Sequence, residues 1–285
     1  MMNLLILGRG YIGTALENTL KKQHTVKTIQ RKDVDYTDKD ILHKFLGENS
    51  IDLIINCSGY TGSPNVDGCE ANKSDCWFYN VVAPHNVLLV ADALGIPVFH
   101  VSSGCIYSGY EKDFNEQDEP NFGIYSTVSS YYSKCKHAFE TISKNFNAYI
   151  FRIRMPFDGT VHRKNYLNKI YTYNNLISLK NSLTSVQDLC DCINKFLSIY
   201  RDIQPGPINI VNPEPLDAQF ILQLFKQYNV VNQNWKLIEL EDLNTVANRS
   251  NCVLDSSRLA SLGLSLPSSY TSLERDVKEF ATKVG

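Results

Sequence analysis

A glycine turn near the start of the chain constrains the fold more than any other feature. Three glycines are spaced Gly-x-Gly-x-x-Gly, directly after the apolar run 4–7 and directly before a helical pattern. In a dinucleotide-binding βαβ unit, the first glycine permits a tight turn, the second lets the backbone approach a pyrophosphate, and the third packs the helix on the strand. The residues expected beside a dinucleotide are Gly8, Arg9, Gly10, Tyr11, Ile12 and Gly13.

Strand and helix patterns alternate through the first half of the chain. Short apolar or β-branched runs bounded by turn residues predict strands at 3–7, 25–29, 52–57, 97–102 and 148–153. Helical patterns lie between them, at 11–21, 38–46, 75–94 and 130–144. This alternation predicts an α/β protein with a Rossmann-like, doubly wound parallel sheet.

The regular alternation fades after residue 155. Four prolines, at 205, 207, 213 and 215, punctuate a region of shorter elements. We therefore expect a Rossmann domain over 1–155 and a smaller, mainly substrate-binding lobe over 156–285, with a strand near 208–211 that returns to the main sheet.

Composition favours a protein that acts on a small molecule. The chain has 285 residues, 43% of them apolar, and a net charge of −2 without a long basic run. Electrostatics therefore offers no case for nucleic-acid or membrane binding. The eight cysteines lack paired Cys-x-x-Cys spacings, so we expect reduced thiols and no metal site. Without a signal peptide or a membrane-length apolar stretch, the expected compartment is the cytoplasm.

A tyrosine and a lysine supply the first sign of chemistry. Tyr132 and Lys136 are four residues apart and fall on one helix face, where the ammonium can favour the phenolate and move the tyrosine pKa toward neutrality. Tyr131 is the rival, but Cys135 stands four residues after it. Ser103 follows the fourth predicted strand and should lie over the nicotinamide; the family resemblance given below implies that it holds the substrate carbonyl. The arrangement indicates proton transfer beside a hydride carrier.

The end of the second predicted strand bears on which dinucleotide binds. Arg31 and Lys32 suit the 2′-phosphate of NADPH, whereas Asp33 and Asp35 nearby leave NADH open as an alternative. The turn that follows the third predicted strand should flank the same cofactor, through Cys57, Ser58 and Gly59.

The glycine turn, Ser103, Tyr132 and Lys136 resemble the short-chain dehydrogenase/reductase superfamily. Cys105, two positions after the serine, occurs in GDP-fucose synthases and in plant-type nucleotide-rhamnose synthases, which are 3,5-epimerase/4-reductases. Similarity to the second family is closer and extends along nearly the whole chain, including its stand-alone form in giant DNA viruses. The similar segments are 59–70, 104–106, 119–122, 132–136, 152–156, 165–170, 181–184 and 249–251.

The resemblance implies a set of site residues and a reaction. Cys105 and Lys169 would exchange protons at C3 and C5 of a 4-keto sugar, with His162 as the alternative to Lys169. Asn165 and Arg249 would contact the sugar and its diphosphate. The implied reaction converts UDP-4-keto-6-deoxy-D-glucose to UDP-L-rhamnose with NADPH, although the residues alone leave UDP and dTDP open.

The resemblance also leaves other functions and partners open. One is a reductase only, like dTDP-4-dehydrorhamnose reductase, in which Cys105 is idle. Another is a non-catalytic protein that senses dinucleotide and regulates a partner. A 4,6-dehydratase is often fused to plant members, so we expect it here as a separate polypeptide. A homodimer is compatible with the superfamily, and a viral chain would act in the host cytoplasm.

Overall fold

The computed structural model describes residues 1–231 and 234–285. Its centre is a parallel six-stranded sheet in the order β2-β1-β3-β4-β6-β10. The strands of this sheet are β1 Asn3–Leu7, β2 Thr25–Ile29, β3 Leu53–Asn56, β4 Val98–Ser103, β6 Ala148–Ile153 and β10 Gly206–Asn209. The prediction of a doubly wound parallel sheet is confirmed.

Helices cover both faces of the sheet in two layers. The helices of these two layers are α1 Tyr11–Leu20, α2 Lys39–Gly47, α5 Ala83–Ala93, α6 Tyr131–Ser143 and α8 Val186–Phe196. On β1, Leu4 and Ile6 join the core under α1 and α8, whereas Leu5 and Leu7 join the core under α2, α5 and α6, so this inner strand is apolar on both sides.

The helix predicted over 75–94 is present from residue 73 to residue 93, but five of its residues form a π-helix, which was not predicted. The chain forms α3 Asp67–Ala71 and α4 Lys73–Trp77, then a π-helix at Phe78–Val82 that leads into α5. Within the π-helix, the buried Asn80 amide donates to the backbone oxygens of Tyr60 and Cys76, at 2.8 and 2.9 Å. Local periodicity does not reveal the π-helix, because the hydrogen bond of Asn80 is to a loop twenty residues earlier in the chain.

Much of the chain after residue 155 forms a smaller packed unit. Its helices are α7 Tyr166–Thr172, α9 Ala218–Gln227 and α11 Ser269–Val284, and α10 Ser257–Ser261 lies beside β10. Three two-stranded parallel sheets accompany them: β5 Gly109–Phe114 with β12 Cys252–Leu254, β7 Pro156–Phe157 with β9 Thr184–Ser185, and β8 Asn175–Ile177 with β11 Lys236–Ile238. Single turns of 3-10 helix lie at Gly104–Ile106, Tyr200–Asp202 and Leu240–Asp242.

The two parts of the chain interleave. β10 pairs in parallel with β6 at the edge of the main sheet, in the region where a returning strand was expected. α8 packs on α1, so it too belongs to the layer around the main sheet. The division of the chain at residue 155 into a Rossmann domain and a substrate lobe therefore stays a proposal. Among the described residues, no helix has both the length and the apolar character needed to cross a membrane.

Candidate active site

The first turn of α6 presents the tyrosine and lysine to a large cavity. Ser130 caps the helix by accepting from the Ser133 amide at 3.1 Å, and Glu70 accepts from the Tyr131 amide at 2.6 Å. Tyr132 and Lys136 both line the cavity, which has a volume of about 400 Å³. The Lys136 ammonium lies 5.6 Å from the centre of the Tyr132 ring.

The rival tyrosine faces elsewhere. Tyr131 is absent from the cavity wall, and its ring lies 5.5 Å from the Lys73 ammonium. Both tyrosines pack against a buried cluster that includes Cys76 and Cys135, but only Tyr132 lines the cavity. The geometry therefore favours Tyr132 as the residue that reaches a substrate.

Burial moves the tyrosine pKa in the direction opposite to the one expected from sequence. Desolvation raises the pKa of Tyr132 well above its ordinary value, and it lowers the pKa of the buried Lys136. The expectation that the tyrosine pKa falls toward neutrality counted on the charge of the nicotinamide ring as well as on Lys136, and it stays a prediction for the protein with its cofactor bound. A phenol that keeps its proton is suited to donating it, which is the direction that ketone reduction needs.

Ser103 and Cys105 reach the same cavity from the end of β4. The Ser103 hydroxyl accepts from the Cys105 amide at 3.3 Å, which fixes the 3-10 turn that follows the strand. Gly104 permits this turn to pack closely, because a Cβ there would lie 2.5 Å from Leu254 Cδ1. Burial raises the pKa of the Cys105 thiol.

Lys169 enters the cavity from α7, on a different element from Cys105. Burial lowers the pKa of its ammonium, and the cations Lys164, Arg249 and Arg163 lower it further. His162, the alternative proton-transfer residue, stacks on Tyr11 with ring centroids 4.7 Å apart and does not line the cavity. Position therefore favours Lys169.

Asn165 does not line the cavity, and the expected sugar contact does not fit its position. Its fully buried amide donates to the backbone oxygens of Asp158 and Thr160, and its oxygen accepts from the Leu167 amide at 3.0 Å. These bonds cap α7 and leave no exposed atom for a ligand. The residue holds the corner from which Lys169 projects.

Arg249 does line the cavity, held by a loop that crosses from the carboxyl-terminal part of the chain. Its guanidinium makes a two-point contact with Asp67, at 3.0 and 3.1 Å, and Asp67 also accepts from the Ala247 amide at 2.9 Å. Arg154, which the sequence analysis overlooked as a wall residue, donates to Ser250 on the same loop at 2.8 Å.

A second cavity of about 310 Å³ joins the first at Ser58 and Gly59, which line both. Gly8 lies in its wall with φ +94°, and Arg31 lies there with its guanidinium 4.3 Å from the centre of the Tyr79 ring. The two cavities form one groove along the carboxyl edge of the sheet, which is where dinucleotides bind in such folds.

The glycine turn has the shape that a pyrophosphate needs. A Cβ on Gly13 would lie 2.0 Å from the Gly8 carbonyl oxygen, so only glycine permits helix and strand to approach this closely. At Gly10, by contrast, a Cβ would meet nothing within 4 Å, which leaves the backbone open to a ligand. Tyr11 and Ile12 line the larger cavity with Cys57, while Arg9 lines the smaller one.

The basic residues Arg31 and Lys32 suit NADPH and the acidic residues Asp33 and Asp35 suit NADH, and the structure shows which of them are available to a ligand. Lys32 is exposed and lines neither cavity. Asp33 accepts from the Gln30 amide at 3.1 Å, and Asp35 accepts from the Thr37 amide at 3.1 Å, so both acids are used in turns. Arg9 and Arg31 are left as the charged groups in the wall of the smaller cavity that can meet a ribose phosphate.

Sequence reasoning missed several residues of the larger cavity. Arg163 and Lys164 add positive charge to the cavity wall. Asn80 lies near Lys136, since a Cβ on Gly59 would be 3.0 Å from the Asn80 Oδ1 atom and 3.7 Å from the Lys136 ammonium. The cations could have been noticed as a basic pair beside a predicted site residue. No Asp or Glu is among the described residues that line this cavity.

Residues 1–231 and 234–285 contain no group of three or more His, Cys, Asp or Glu side chains that could hold a metal ion. All eight cysteines are free thiols.

The fold and the groove define the class of protein: a short-chain dehydrogenase/reductase of the extended type. The family described as RmlD substrate binding domain matches residues 2–192, and the chain belongs to this family. The prediction of an enzyme of this kind is confirmed.

Plant relatives support the same placement. The chain is 30% identical over 217 residues to the bifunctional dTDP-4-dehydrorhamnose 3,5-epimerase/dTDP-4-dehydrorhamnose reductase of Arabidopsis thaliana, covering 72% of this chain and 69% of that protein. A trifunctional rhamnose-pathway enzyme of the same plant is 28% identical to this chain over 90% of the length of this chain. The chain spans only 39% of that longer relative. The resemblance to plant nucleotide-rhamnose synthases is confirmed.

Solved structures share the fold along almost the whole chain. The crystal structure of the L780 UDP-rhamnose synthase from Acanthamoeba polyphaga mimivirus superimposes with a TM-score of 0.86 at 24% identity, covering 98% of this chain and 99% of that one. The dTDP-4-dehydrorhamnose reductase of Bacillus anthracis, solved in complex with NADP, gives 0.83 at 20% identity, covering 96% and 98%.

Proposed function

We propose that the protein inverts C3 and C5 of UDP-4-keto-6-deoxy-D-glucose and then reduces C4 with NADPH, which yields UDP-L-rhamnose. One observation carries the proposal: a single cavity is lined by Ser103, Tyr132 and Lys136, which suit reduction, and by Cys105 and Lys169, which suit proton exchange. A reductase alone would need only the first three.

The reduction step uses residues at the junction of the groove. NADPH, when bound, supplies the hydride that C4 receives. The Ser103 hydroxyl holds the C4 oxygen, and Tyr132 donates a proton to that oxygen. Lys136, buried beside the tyrosine, stabilises the phenolate that is left until a proton returns from solvent.

The epimerisation step uses the ketone that is already present in the substrate. A carbonyl at C4 acidifies the hydrogens at C3 and C5, so a base and an acid that approach from different elements can invert each carbon. Cys105 comes from the turn after β4 and Lys169 from α7. Neither residue contributes to hydride transfer.

The cations of the cavity suit a nucleoside diphosphate. Arg163, Lys164 and Arg249 line it in addition to the residues assigned to chemistry. Arginine binds phosphate through paired hydrogen bonds, and this fits Arg249, which the structure already holds in a fixed orientation. UDP, rather than dTDP, is proposed from the mimivirus protein and the trifunctional plant relative.

The smaller cavity fits NADPH better than NADH. Arg31 faces a place where a 2′-phosphate would lie, and the neighbouring acids Asp33 and Asp35 are held in turns. The NADP complex of the B. anthracis reductase, which shares the fold, supports this choice.

The cellular setting follows from the substrate. A 4-keto sugar must be made by a 4,6-dehydratase, and we propose that a separate polypeptide supplies it in the cytoplasm. A homodimer is part of the same proposal.

A reductase without epimerase activity is the second candidate. The raised pKa of the Cys105 thiol favours this candidate, because a buried cysteine that only packs against its neighbours would also keep its proton.

One experiment separates these functions. The protein is incubated with UDP-4-keto-6-deoxy-D-glucose and NADPH in deuterated water, and the product is identified by NMR. We expect UDP-L-rhamnose with deuterium at C3 and C5. A 6-deoxyhexose without deuterium at either carbon would show reduction alone, and no consumption of the sugar would overturn both candidates.

A further inference from the structure

The π-helix at Phe78–Val82 presents one aromatic side chain to the smaller cavity. Within it, Asn80 is buried and bonds to the backbone of Tyr60 in both directions, donating to its oxygen at 2.8 Å and accepting from its nitrogen at 3.2 Å. Tyr79, the residue before this anchor, is half-buried and lines the cavity. Short π-helices are frequent at functional sites, so the surroundings of Tyr79 bear on what the cavity binds.

Other aromatic rings hold the Tyr79 ring in place. Phe78 meets it edge to face, with centroids 5.0 Å apart. Tyr60, which lines the same cavity, lies 6.5 Å from it at a tilt of 32°. Rings attract one another in such arrangements because the edge of one is positive and the face of the other is negative. The Tyr79 ring is therefore a fixed surface in the cavity wall.

Arg31 lies over this surface. Its guanidinium carbon is 4.3 Å from the centre of the Tyr79 ring, although Arg31 follows β2 and Tyr79 follows α4. The ring quadrupole attracts a cation above its face, and a guanidinium suits this contact because it is planar and weakly hydrated. The contact therefore joins the turn after β2 to the π-helix.

The ring holds Arg31 without an acidic partner. Among residues 1–231 and 234–285, no hydrogen bond or ion pair takes an N–H donor of Arg31, whereas Arg9 in the same wall donates to Glu17 at 3.5 Å and to the Thr28 oxygen at 3.4 Å. A guanidinium has five donors in one plane, and it binds phosphate best through two of them at once. Arg31 is thus held in place with its donors still available to a phosphate.

Holding the side chain beforehand strengthens binding. Arg31 is exposed, and an exposed arginine that must be fixed by its ligand loses rotamer entropy when the ligand binds. The contact with Tyr79 restricts the side chain before the ligand arrives, so less entropy is lost at that step. Lys32, which is also exposed, lines neither cavity.

We propose that Tyr79 is a positioning residue for cofactor choice: its ring holds the Arg31 guanidinium where the N–H donors meet the 2′-phosphate of an adenosine. This inference rests on the proposed use of NADPH and adds the residue through which Arg31 acts. NADH carries a hydroxyl in place of that phosphate and gains nothing from the contact. The effect of Tyr79 therefore falls on the ratio between the two cofactors.

The test measures binding without hydride transfer. Adenosine 2′,5′-bisphosphate and adenosine 5′-monophosphate differ only in the 2′-phosphate, and isothermal titration calorimetry gives the ratio of their Kd values. Tyr79→Leu should reduce the preference for the bisphosphate about two- to fivefold, which is the size of a cation–π contact at an exposed site. The ratio of kcat/KM values for NADPH and NADH should narrow by a similar factor.

Matched variants separate the ring from its hydroxyl and from the fold. Tyr79→Phe keeps the ring and should keep the wild-type preference. Tyr79→Gln is a second variant without the ring and should behave as Tyr79→Leu does, so the test does not depend on one substitution. Trp77→Leu removes an exposed aromatic side chain that lines neither cavity, and it should leave both affinities unchanged.

A double-mutant cycle tests whether the two residues act as a pair. Arg31→Ala should reduce the preference about tenfold, and Tyr79→Leu should add nothing in that background. Equal effects of Tyr79→Leu with and without Arg31 would overturn the inference, and so would an unchanged preference in Tyr79→Leu or an equal loss of affinity for both nucleotides. A wild type that binds the bisphosphate no better than the monophosphate would instead defeat the proposed use of NADPH.

Discussion

The reductive residues and the epimerising residues share a cavity, but the chain assembles them in different ways. Tyr132 and Lys136 lie one turn apart on α6, so a short sequence motif places both of them. Cys105, Lys169 and Arg249 come from three distant segments that meet only in the folded protein. Chemistry encoded within one helix can be identified from sequence, whereas chemistry assembled from several elements needs a structure or a relative.

The largest expected effect tests the reductive helix. Tyr132→Phe should lower C4 reduction by about 10²- to 10⁴-fold, because it removes the proton donor and little else. NADPH oxidation with the keto sugar measures the loss, and fluorescence titration of NADPH should show nearly unchanged binding. Tyr131→Phe is the matched control and should reduce normally; if the two variants exchanged these behaviours, the assignment would be reversed.

The next effect tests the residues assembled from separate segments. Cys105→Ala should slow deuterium exchange at C3 and C5 by about 10²-fold or more, because the ring loses one of its two proton-transfer residues. Reduction of substrate that is already epimerised should continue at a rate close to that of the wild type. Cys192→Ala, which removes a buried thiol far from the cavity, is the control. Full exchange in Cys105→Ala would mean that the cysteine only packs.

A smaller effect concerns the cofactor end of the groove. Arg31→Ala should narrow the preference for NADPH over NADH about tenfold, because it removes a charged contact to the 2′-phosphate. The ratio of kcat/KM values for the two cofactors measures the change. Lys32→Ala removes an equal charge that lies outside both cavities and should change the ratio much less. A wild type that prefers NADH would refute the interpretation of this loop.

The smallest effect concerns the stability of the substrate lobe, remote from either set of catalytic residues. Burial raises the pKa of Asp276 to about 6, although Arg275 and Ser185 bond to it. A pKa raised on folding favours the protonated acid, so its contribution to stability is full below pH 4 and is lost as pH rises through about 6.

Asp276→Asn imitates the protonated acid and should gain stability relative to the wild type between pH 4.5 and 7.5, by roughly 1–3 kcal/mol. Urea unfolding of both proteins at the two pH values measures the difference. A wild type that gains stability over the variant as pH rises would contradict the predicted direction.

The same contrast explains how much the sequence could predict. The bounds of β1, β2 and β6 agree with the predicted strands, because short apolar or β-branched runs bounded by turn residues are local signals of a strand. The π-helix depends on one asparagine bonded to a distant loop, and β7 and β9 are only two residues long, so no periodicity reveals them.

Within the site, residue type alone could not separate ligand contacts from supports. Asn165 and Arg249 were both predicted to touch substrate, but the first is buried as a helix cap and the second lines the cavity. Lys164 had no motif to draw attention to it. Burial of Tyr132, which raises its pKa, is another feature that the sequence does not show.

The contact between Asp67 and Ala247 joins residues 180 positions apart, and Arg154 reaches Ser250 across 96 positions. During synthesis, α6 and its tyrosine leave the ribosome well before the loop that forms this wall. A partly made chain can fold its first strands and helices, since their contacts are local, but it has no complete pocket for a sugar nucleotide. Binding competence should therefore appear late and abruptly as the nascent chain lengthens.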